Sequence, residues 1–179
     1  IETLETGLRS APDNPVLLQA AGEANLAAGN TVKAAQYYER ASALDKGNMA
    51  RKVRLAQVKY AAGESGQAFK ELESLSGADQ SQYQADLALI AAHLRRGEFD
   101  QALAAVATLE KKQPNNPLTY NVKGAAYAGM RDSKNARASF EKALEVQPGY
   151  FAAARNLALL DMQEQKTDDA RKRYEAMLA

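Results

Sequence analysis

Residues 138–160 read ASFEKALEVQPGYFAAARNLALL, two alanine-rich helical patterns joined only by Gln147-Pro148-Gly149-Tyr150. A proline inside a helix removes a backbone hydrogen bond, and its ring clashes with the preceding turn. Pro148 and Gly149 therefore predict that one helix stops here and that another begins almost at once. A break of this kind that returns at a fixed spacing is the joint of a repeat.

The spacing is fixed at 34 residues. Pro114 precedes Pro148 by that distance. Alanine recurs with the same period inside apolar helical patterns, at Ala34, Ala68, Ala102, Ala136 and Ala170. Periods of this size are typical of repeat architectures. Without a single insertion, the period divides the chain into windows 15–48, 49–82, 83–116, 117–150 and a partial window, 151–179.

Each window predicts a helix, a short turn, a second helix and a joint. Places 20, 24 and 27 of a window carry a small, a bulky and another apolar residue, and their spacing puts them on one face of the second helix. Place 15 is Gly29, Gly63 or Gly97 in the first three windows, where a left-handed glycine ends the first helix. Asn30 and Asp132 follow as predicted caps of the second helix. The joint at 76–82 has no proline and is the least defined.

These windows resemble the tetratricopeptide repeat. The matching residues are Ala21-Gly22 in the first window and Lys123-Gly124, Tyr127, Ala136, Phe140, Ala143 and Pro148 in the fourth. The resemblance implies an all-α fold, an α-solenoid in which antiparallel helix pairs stack into a right-handed superhelix. It makes the windows five repeats, the fifth truncated, and makes residues 1–14 the end of a preceding repeat. We expect one continuous solenoid, cut from a longer array.

The amino-acid sequences of the repeats are also similar to those of bacterial PEP-CTERM-system repeat lipoproteins. The similar stretches are LEKKQPNNP at 109–117, ARASFEKAL at 136–144 and ARKRYEAML at 170–178. This resemblance implies a periplasm-facing lipoprotein of the bacterial cell envelope, in exopolysaccharide export or exosortase sorting. Contact with the membrane would then come only through a lipid anchor outside this fragment. A cytoplasmic location is the alternative.

The charge balance argues against nucleic acid as a partner. The chain has 23 basic and 22 acidic residues, a formal net charge of +1. Nucleic-acid binders carry a clustered basic surface, whereas the longest basic run here, Arg171-Lys172-Arg173, is predicted to be the solvated face of a terminal helix. Cysteine is absent, which excludes disulfides, thiolate metal sites and a cysteine nucleophile.

The residues that carry chemistry elsewhere have structural interpretations here. His93 is the only histidine and lies at place 11 of its window, so it is predicted to be a core or semi-buried side chain. Asp168-Asp169 open the last helix, where negative charge complements the helix dipole. Gly63-Glu64-Ser65-Gly66 has too few glycines to hold a phosphate and is predicted to be a turn. We therefore predict no catalytic, cofactor or metal site and no enzymatic activity.

The resemblance implies that the first helices line a concave surface that binds a protein or peptide. The candidate contact residues are Gln19, Glu23, Val53, Gln57, Tyr60, Leu87, Leu94, Arg95, Asn121, Arg155 and Met162. Gln19 and Glu23 do not supply the basic clamp of chaperone-binding relatives. The alternatives are a recognition arm of a larger enzyme, such as a glycosyltransferase, and a cytosolic adaptor. The sequence leaves the oligomeric state and the partner's identity open.

Overall fold

The computed structural model describes residues 2–78 and 83–178, and these residues form α-helices without a strand. The helices are α1 (Glu2–Ser10), α2 (Pro15–Ala27), α3 (Thr31–Leu44), α4 (Met49–Ala61), α5 (Ser65–Ala78), α6 (Gln84–Arg96), α7 (Phe99–Lys112), α8 (Pro117–Gly129), α9 (Ser133–Val146), α10 (Phe151–Gln163) and α11 (Thr167–Leu178). The predicted fold class, an all-α α-solenoid, is confirmed. None of the helices in the described ranges combines the length and the hydropathy of a bilayer span.

The chain forms two compact units, Ile1–Leu89 and Ile90–Ala179, with the boundary inside α6. In unit 1, α1 packs on α2, α2 on α3, α3 on α4 and α4 on α5. In unit 2, α7 packs on α8, α8 on α9, α9 on α10 and α10 on α11. Each helix in these series therefore packs against its neighbours in sequence, as expected where no helix pair can bury its apolar face alone.

The joints before α2, α4 and α8 are built on asparagine. Asn14, Asn48 and Asn116 are the N-caps of α2, α4 and α8. The Asn14 side chain accepts from the backbone N–H of Val16 at 3.0 Å, and the Asn116 side chain accepts in the same way. These bonds satisfy amide groups that have no partner inside the helix. Among the predicted caps of second helices, Asp132 accepts from Asn135 N, whereas Asn30 makes no side-chain cap bond.

The turn inside each window uses one backbone conformation. Gly29, Gly63 and Gly97 have φ of +78°, +96° and +73°, as predicted for left-handed glycine. Arg131 and Gln165 hold the same place in the last two windows, and both have φ of +61°. The turn geometry is therefore kept where the sequence has lost the glycine, at a cost of about 1–2 kcal/mol for a residue with a Cβ.

The two helices of a window approach at places 8 and 24. Gly22 lies against the ring of Tyr38, and Gly124 lies against the ring of Phe140. A Cβ on Gly22 would be 2.7 Å from the tyrosine ring, and one on Gly124 would be 2.5 Å from the phenylalanine ring. In the second and third windows place 8 is not glycine, and the residue at place 24 is smaller than tyrosine or phenylalanine. The other buried pairs at these places are Ala56 with Leu72 and Ile90 with Val106.

Each unit buries a core around these pairs. In unit 1, Tyr38 packs with Ala34, Ala35 and Val58. In unit 2, Phe140 packs with a buried cluster formed by Ala136, Ala143, Ala153, Leu157 and Leu160. The periodic alanine is buried in all five windows, at most 3 % exposed. The small residue thus admits the neighbouring helix, as the sequence pattern predicts.

Candidate functional site

In unit 1, the candidate contact residues lie on the first helices, and two of the polar ones among them form hydrogen bonds within the unit. Gln19 donates from Nε2 to Glu23 Oε1 at 3.2 Å, and its Oε1 accepts from Arg51 Nε at 3.4 Å. Glu23 is exposed, whereas Gln57 and Leu87 are half-buried. Gln19 and Glu23 therefore already form hydrogen bonds within the unit, so fewer of their donor and acceptor atoms remain for a partner.

Two of the candidates in unit 1 have structural roles. Val53 is predicted to contact a partner, but it is only 4 % exposed, so its side chain is packed inside the core and not presented on the surface. Tyr60 is half-buried, and its ring lies edge-on to Phe69 with centroids 5.7 Å apart. Tyr60 therefore stabilises the contact between α4 and α5.

In unit 2, a cavity of about 230 Å³ opens between α8 and α10. We call it the trough. Its lining residues are Ala125, Ala128, Phe140, Asn156, Leu159, Leu160 and Gln163. The small side chains Ala125 and Ala128 come from α8, and Leu159 and Gln163 come from α10.

The remaining candidates lie on the first helices of unit 2. Asn121 Oδ1 accepts from Asn156 Nδ2 at 3.0 Å, which joins α8 to α10 beside the trough. Arg155 is exposed one turn before Leu159, and Met162 is 54 % exposed. Residues at spacings of three and four lie on one helix face. Arg155, Leu159 and Met162 therefore present one continuous strip of α10 to solvent.

The last two candidates, Leu94 and Arg95, lie on α6. Leu94 is half-buried, and Arg95 is exposed with its Nε donating to the carbonyl of Ala91 at 3.2 Å. Neither residue lines the trough. The structure therefore places Asn121, Arg155 and Met162 on the two trough helices, whereas Leu94 and Arg95 lie on α6.

The exposed charge on the trough helices is basic. On α8 the charged residue is Lys123, which is half-buried and lies 2.9 Å from Glu110. On α10 the charged residues are Arg155 and Asp161, and Asp161 is fully buried. Among the described residues Arg155 makes no ion pair, so it is the uncompensated charge on this surface.

Place 11 of a window holds a buried polar side chain in several repeats. Lys59, which is 5 % exposed, has its ammonium 3.0 Å from Glu71 and 3.3 Å from Glu39. Asp161 lies 2.6 Å from both Arg137 and Arg173. The signs of the charges are reversed between the two sites, while the geometry is shared. In both, the central group links its own second helix to that of the preceding window.

These ion pairs set the protonation of the buried groups. Burial alone would raise the pKa of Asp161, but the hydrogen bonds from Arg173 and Arg137 outweigh it and lower that pKa. Burial would likewise lower the pKa of Lys59, but its bonds to Glu71 and Glu39 raise it. Both groups are therefore charged near neutral pH, and both are structural.

His93 also lies at place 11, and the prediction that it is a core or semi-buried residue is confirmed. It is 9 % exposed, and its Nδ1 lies 2.8 Å from Glu98 Oε2. That hydrogen bond lowers the pKa of Glu98.

Asp168 and Asp169 lie in the first turn of α11, as predicted. The prediction that the run 171–173 is only a solvated helix face is wrong for Arg173, because Arg173 pairs with buried Asp161.

Two features of the surface were not predicted from the sequence. Asn156 is not among the predicted contact residues, yet it lines the trough and donates a hydrogen bond to Asn121. Its only sequence signal is its position three residues before Leu159 on α10. A second cavity, of about 410 Å³, lies between α4 and α5 and is lined by Lys52, Leu55, Gln67, Lys70, Glu71, Ser74 and Leu75.

The comparisons with known proteins agree with this architecture. Residues 25–85 match the family model of the tetratricopeptide repeat. MamA, residues 41 to the end, from Desulfovibrio magneticus RS-1 aligns over 92 % of this chain and 93 % of its own, with TM-score 0.67 and 15 % identity. TTC0263, a thermophilic TPR protein of Thermus thermophilus, aligns over 92 % and 90 %, with TM-score 0.71 and 20 % identity.

Yeast Tom70 aligns over 97 % of this chain but 38 % of its own length, with TM-score 0.78 and 16 % identity. No curated protein sequence gives a significant match. At these identities the solved structures establish the fold. Together with the family model they support the tetratricopeptide-repeat assignment, and that fold suggests protein or peptide partners.

Proposed function

We propose that this chain is a non-catalytic scaffold that binds a protein segment on the first helices of unit 2, with the trough as its site. The observation that carries the proposal is the cavity between α8 and α10, which lies beside the exposed strip of Arg155, Leu159 and Met162. Its lining presents methyl, aromatic and amide groups, which suit a peptide better than they suit acid–base or nucleophilic chemistry.

The size of the trough fits a side chain or two rather than a whole ligand. About 230 Å³ is below the range of about 300–1,000 Å³ that holds a small molecule. A helical or extended segment that lies across α8 and α10 uses such a cavity for one anchoring side chain, while the rest of the segment stays on the surface.

Site-specific photo-crosslinking in the native host tests this proposal. A photoreactive residue in place of Met162 is expected to capture one protein through a defined peptide, because this side chain is exposed next to the trough. The matched control replaces Ala138, which is exposed on the second helix α9. Capture of the same protein from both positions, or from the Ala138 position alone, would contradict the proposal.

The setting we propose is the bacterial cell envelope, in exopolysaccharide export or exosortase-dependent protein sorting, with a lipid anchor outside this chain. The support is the sequence of the repeats at 109–117, 136–144 and 170–178, which is similar to that of PEP-CTERM-system lipoproteins.

The full reading frame and metabolic labelling with a fatty acid test the proposed setting. A signal peptide that ends in a lipidated cysteine is expected. An unlabelled protein in the cytosolic fraction would favour a cytosolic adaptor, and a catalytic domain in the same frame would favour the recognition arm of an enzyme such as a glycosyltransferase.

A further inference from the structure

The near-zero net charge of the chain conceals an uneven distribution in unit 2. The acidic residues of its helices, apart from buried Asp161, lie on second helices, at Asp100, Glu110, Glu141, Glu145, Asp168, Asp169 and Glu175. The trough helices α8 and α10 expose no carboxylate. A ligand on α8 and α10 therefore meets positive potential from Arg155, and no acidic side chain of either helix opposes it.

Asp161 does not cancel the charge of Arg155. It is fully buried, and it lies 2.6 Å from each of two other arginines, Arg137 and Arg173. Two guanidinium groups already surround this one carboxylate. Arg155 is exposed and makes no ion pair with any of the described residues, so its guanidinium can receive a carboxylate in the bidentate geometry that arginine favours.

The apolar part of the surface is next to this charge. Leu159 is 44 % exposed and Met162 is 54 % exposed, on the same strip of α10 as Arg155. On the other side of the trough, α8 offers only the methyl groups of Ala125 and Ala128, which leave room for an entering side chain. Apolar contacts of this kind anchor a segment, while an adjacent charge selects among segments.

We propose that the trough selects an acidic, apolar-anchored peptide segment. An apolar side chain of the partner lies over Ala125 and Ala128 against Leu159, and a carboxylate of the partner binds Arg155. This inference rests on the proposed function and adds the chemistry of the partner to it.

The same surface is poorly suited to single-stranded nucleic acid. Such ligands are held by several basic groups that follow the backbone and by aromatic rings on which bases stack. Here Arg155 is the one arginine on the trough helices, it makes no ion pair with the described residues, and its face of α10 adds a single exposed ring, Phe151, while Phe140 in the lining is 2 % exposed. The arrangement therefore favours a peptide.

An array of immobilised peptides tests the inference with the whole chain. Each capped 12-residue sequence is built from apolar and small polar residues and is printed in three versions, with Glu, Gln or Lys at one variable position. We expect the Glu versions to retain about fivefold more protein than the matching Gln versions, and the Lys versions to retain least. The preference is expected to shrink in 500 mM NaCl, because the pair is exposed.

Two arginine variants locate the preference. Arg155→Gln is expected to bring the ratio of Glu to Gln capture close to one. The matched control, Arg171→Gln, makes the same change on second helix α11, where the arginine side chain is 68 % exposed, and is expected to keep the ratio. A wild-type ratio near one, or a ratio that survives Arg155→Gln, would overturn the inference.

A further pair of variants separates this inference from the proposed function. Ala128→Trp fills the trough from an exposed position, and Leu159→Ser removes its wall without added volume. If both abolish capture but the three peptide versions bind equally, the trough binds peptides and only the acidic preference is wrong. If neither changes capture, or if no peptide is retained, the proposed function fails as well. Capture of an immobilised 20-nucleotide RNA that is lost in Arg155→Gln would replace the peptide with nucleic acid.

Discussion

Replacing Gly124 with alanine probes the contact that joins the two helices of a repeat. The added Cβ would lie 2.5, 2.6 and 2.9 Å from the Cε1, Cδ1 and Cζ atoms of Phe140. Carbon atoms in favourable contact are about 3.5–4.0 Å apart, so the ring would have to move by about 1 Å. Phe140 is 2 % exposed and is packed against Ala136, Ala143 and Leu157, so a shift of the ring disturbs these buried contacts.

The magnitude follows from two opposing effects. Overpacking a well-packed core costs about 1–3 kcal/mol. The loss of a glycine from a helix interior recovers about 0.5–1 kcal/mol. We therefore expect Gly124→Ala to lower the free energy of unfolding by about 0–2.5 kcal/mol, whereas an alanine without a steric conflict raises it by about 0.4–1 kcal/mol. Gly66→Ala is that control, because Gly66 is helical and has nothing within 4 Å of its added Cβ.

A double-mutant cycle isolates the steric effect. Phe140→Leu alone is expected to cost about 1 kcal/mol, as for other conservative core changes. With this smaller side chain present, Gly124→Ala is expected to become neutral or stabilising, which gives a coupling free energy of about 1–3 kcal/mol. The double variant reproduces the pair that the chain already uses elsewhere, Ala56 with Leu72.

Urea unfolding followed by circular dichroism at 222 nm measures the cycle, with unchanged m-values as the check that the same surface is exposed in each variant. A Gly124→Ala variant as stable as Gly66→Ala, or a coupling free energy near zero, would refute the reasoning. Either result would mean that the ring of Phe140 moves freely and that the glycine is not required by the contact.

Three further perturbations test other parts of the fold by the same unfolding measurement. Arg131→Gly is expected to stabilise the chain by about 0.5–1 kcal/mol, because φ at this residue is +61°; a destabilised variant would show that the arginine side chain matters more than its backbone. Asn116→Ala is expected to cost about 1 kcal/mol, and Asn30→Ala much less, because only Asn116 accepts a side-chain cap bond; equal losses would contradict this. Asp161→Asn is expected to cost about 3 kcal/mol through its two arginine partners. Because the pKa of Asp161 is lowered on folding, its contribution to the free energy of unfolding is present above about pH 4 and is lost as the pH falls through the lower folded pKa. If the free energy of unfolding changes in the same way from about pH 7 to about pH 2 in Asp161→Asn and in the wild type, this prediction is wrong.

The period of the sequence is enough to predict the fold class. The alanine series and the proline joints specify helices that cannot be stable alone, and helices stack in sequence within each unit. The left-handed turn could also be found from sequence, because alignment places Arg131 and Gln165 where Gly29, Gly63 and Gly97 stand. The repeat register therefore predicts the left-handed conformation even at Arg131 and Gln165, although residues with a Cβ disfavour it.

The contacts of the candidate site depend on how neighbouring windows pack against each other. The 34-residue spacing of the sequence does not predict that packing. Val53 and Arg155 occupy equivalent places, yet Val53 is buried and Arg155 is exposed. Asn156 is beside the trough only because α8 brings Asn121 within 3.0 Å of it. The charges around Asp161 likewise come from two different second helices. Sequence spacing predicts which face a residue is on, but not which neighbour will cover it.

Methyl NMR of the whole chain titrated with the tightest Glu-containing peptide of the array tests the binding claim most directly. The account predicts that the methyl resonances of Ala125, Ala128, Leu159 and Met162 shift together and saturate, while that of Ala138 on α9 stays unchanged. A titration that moves Ala138 and leaves the trough methyl groups in place would contradict it.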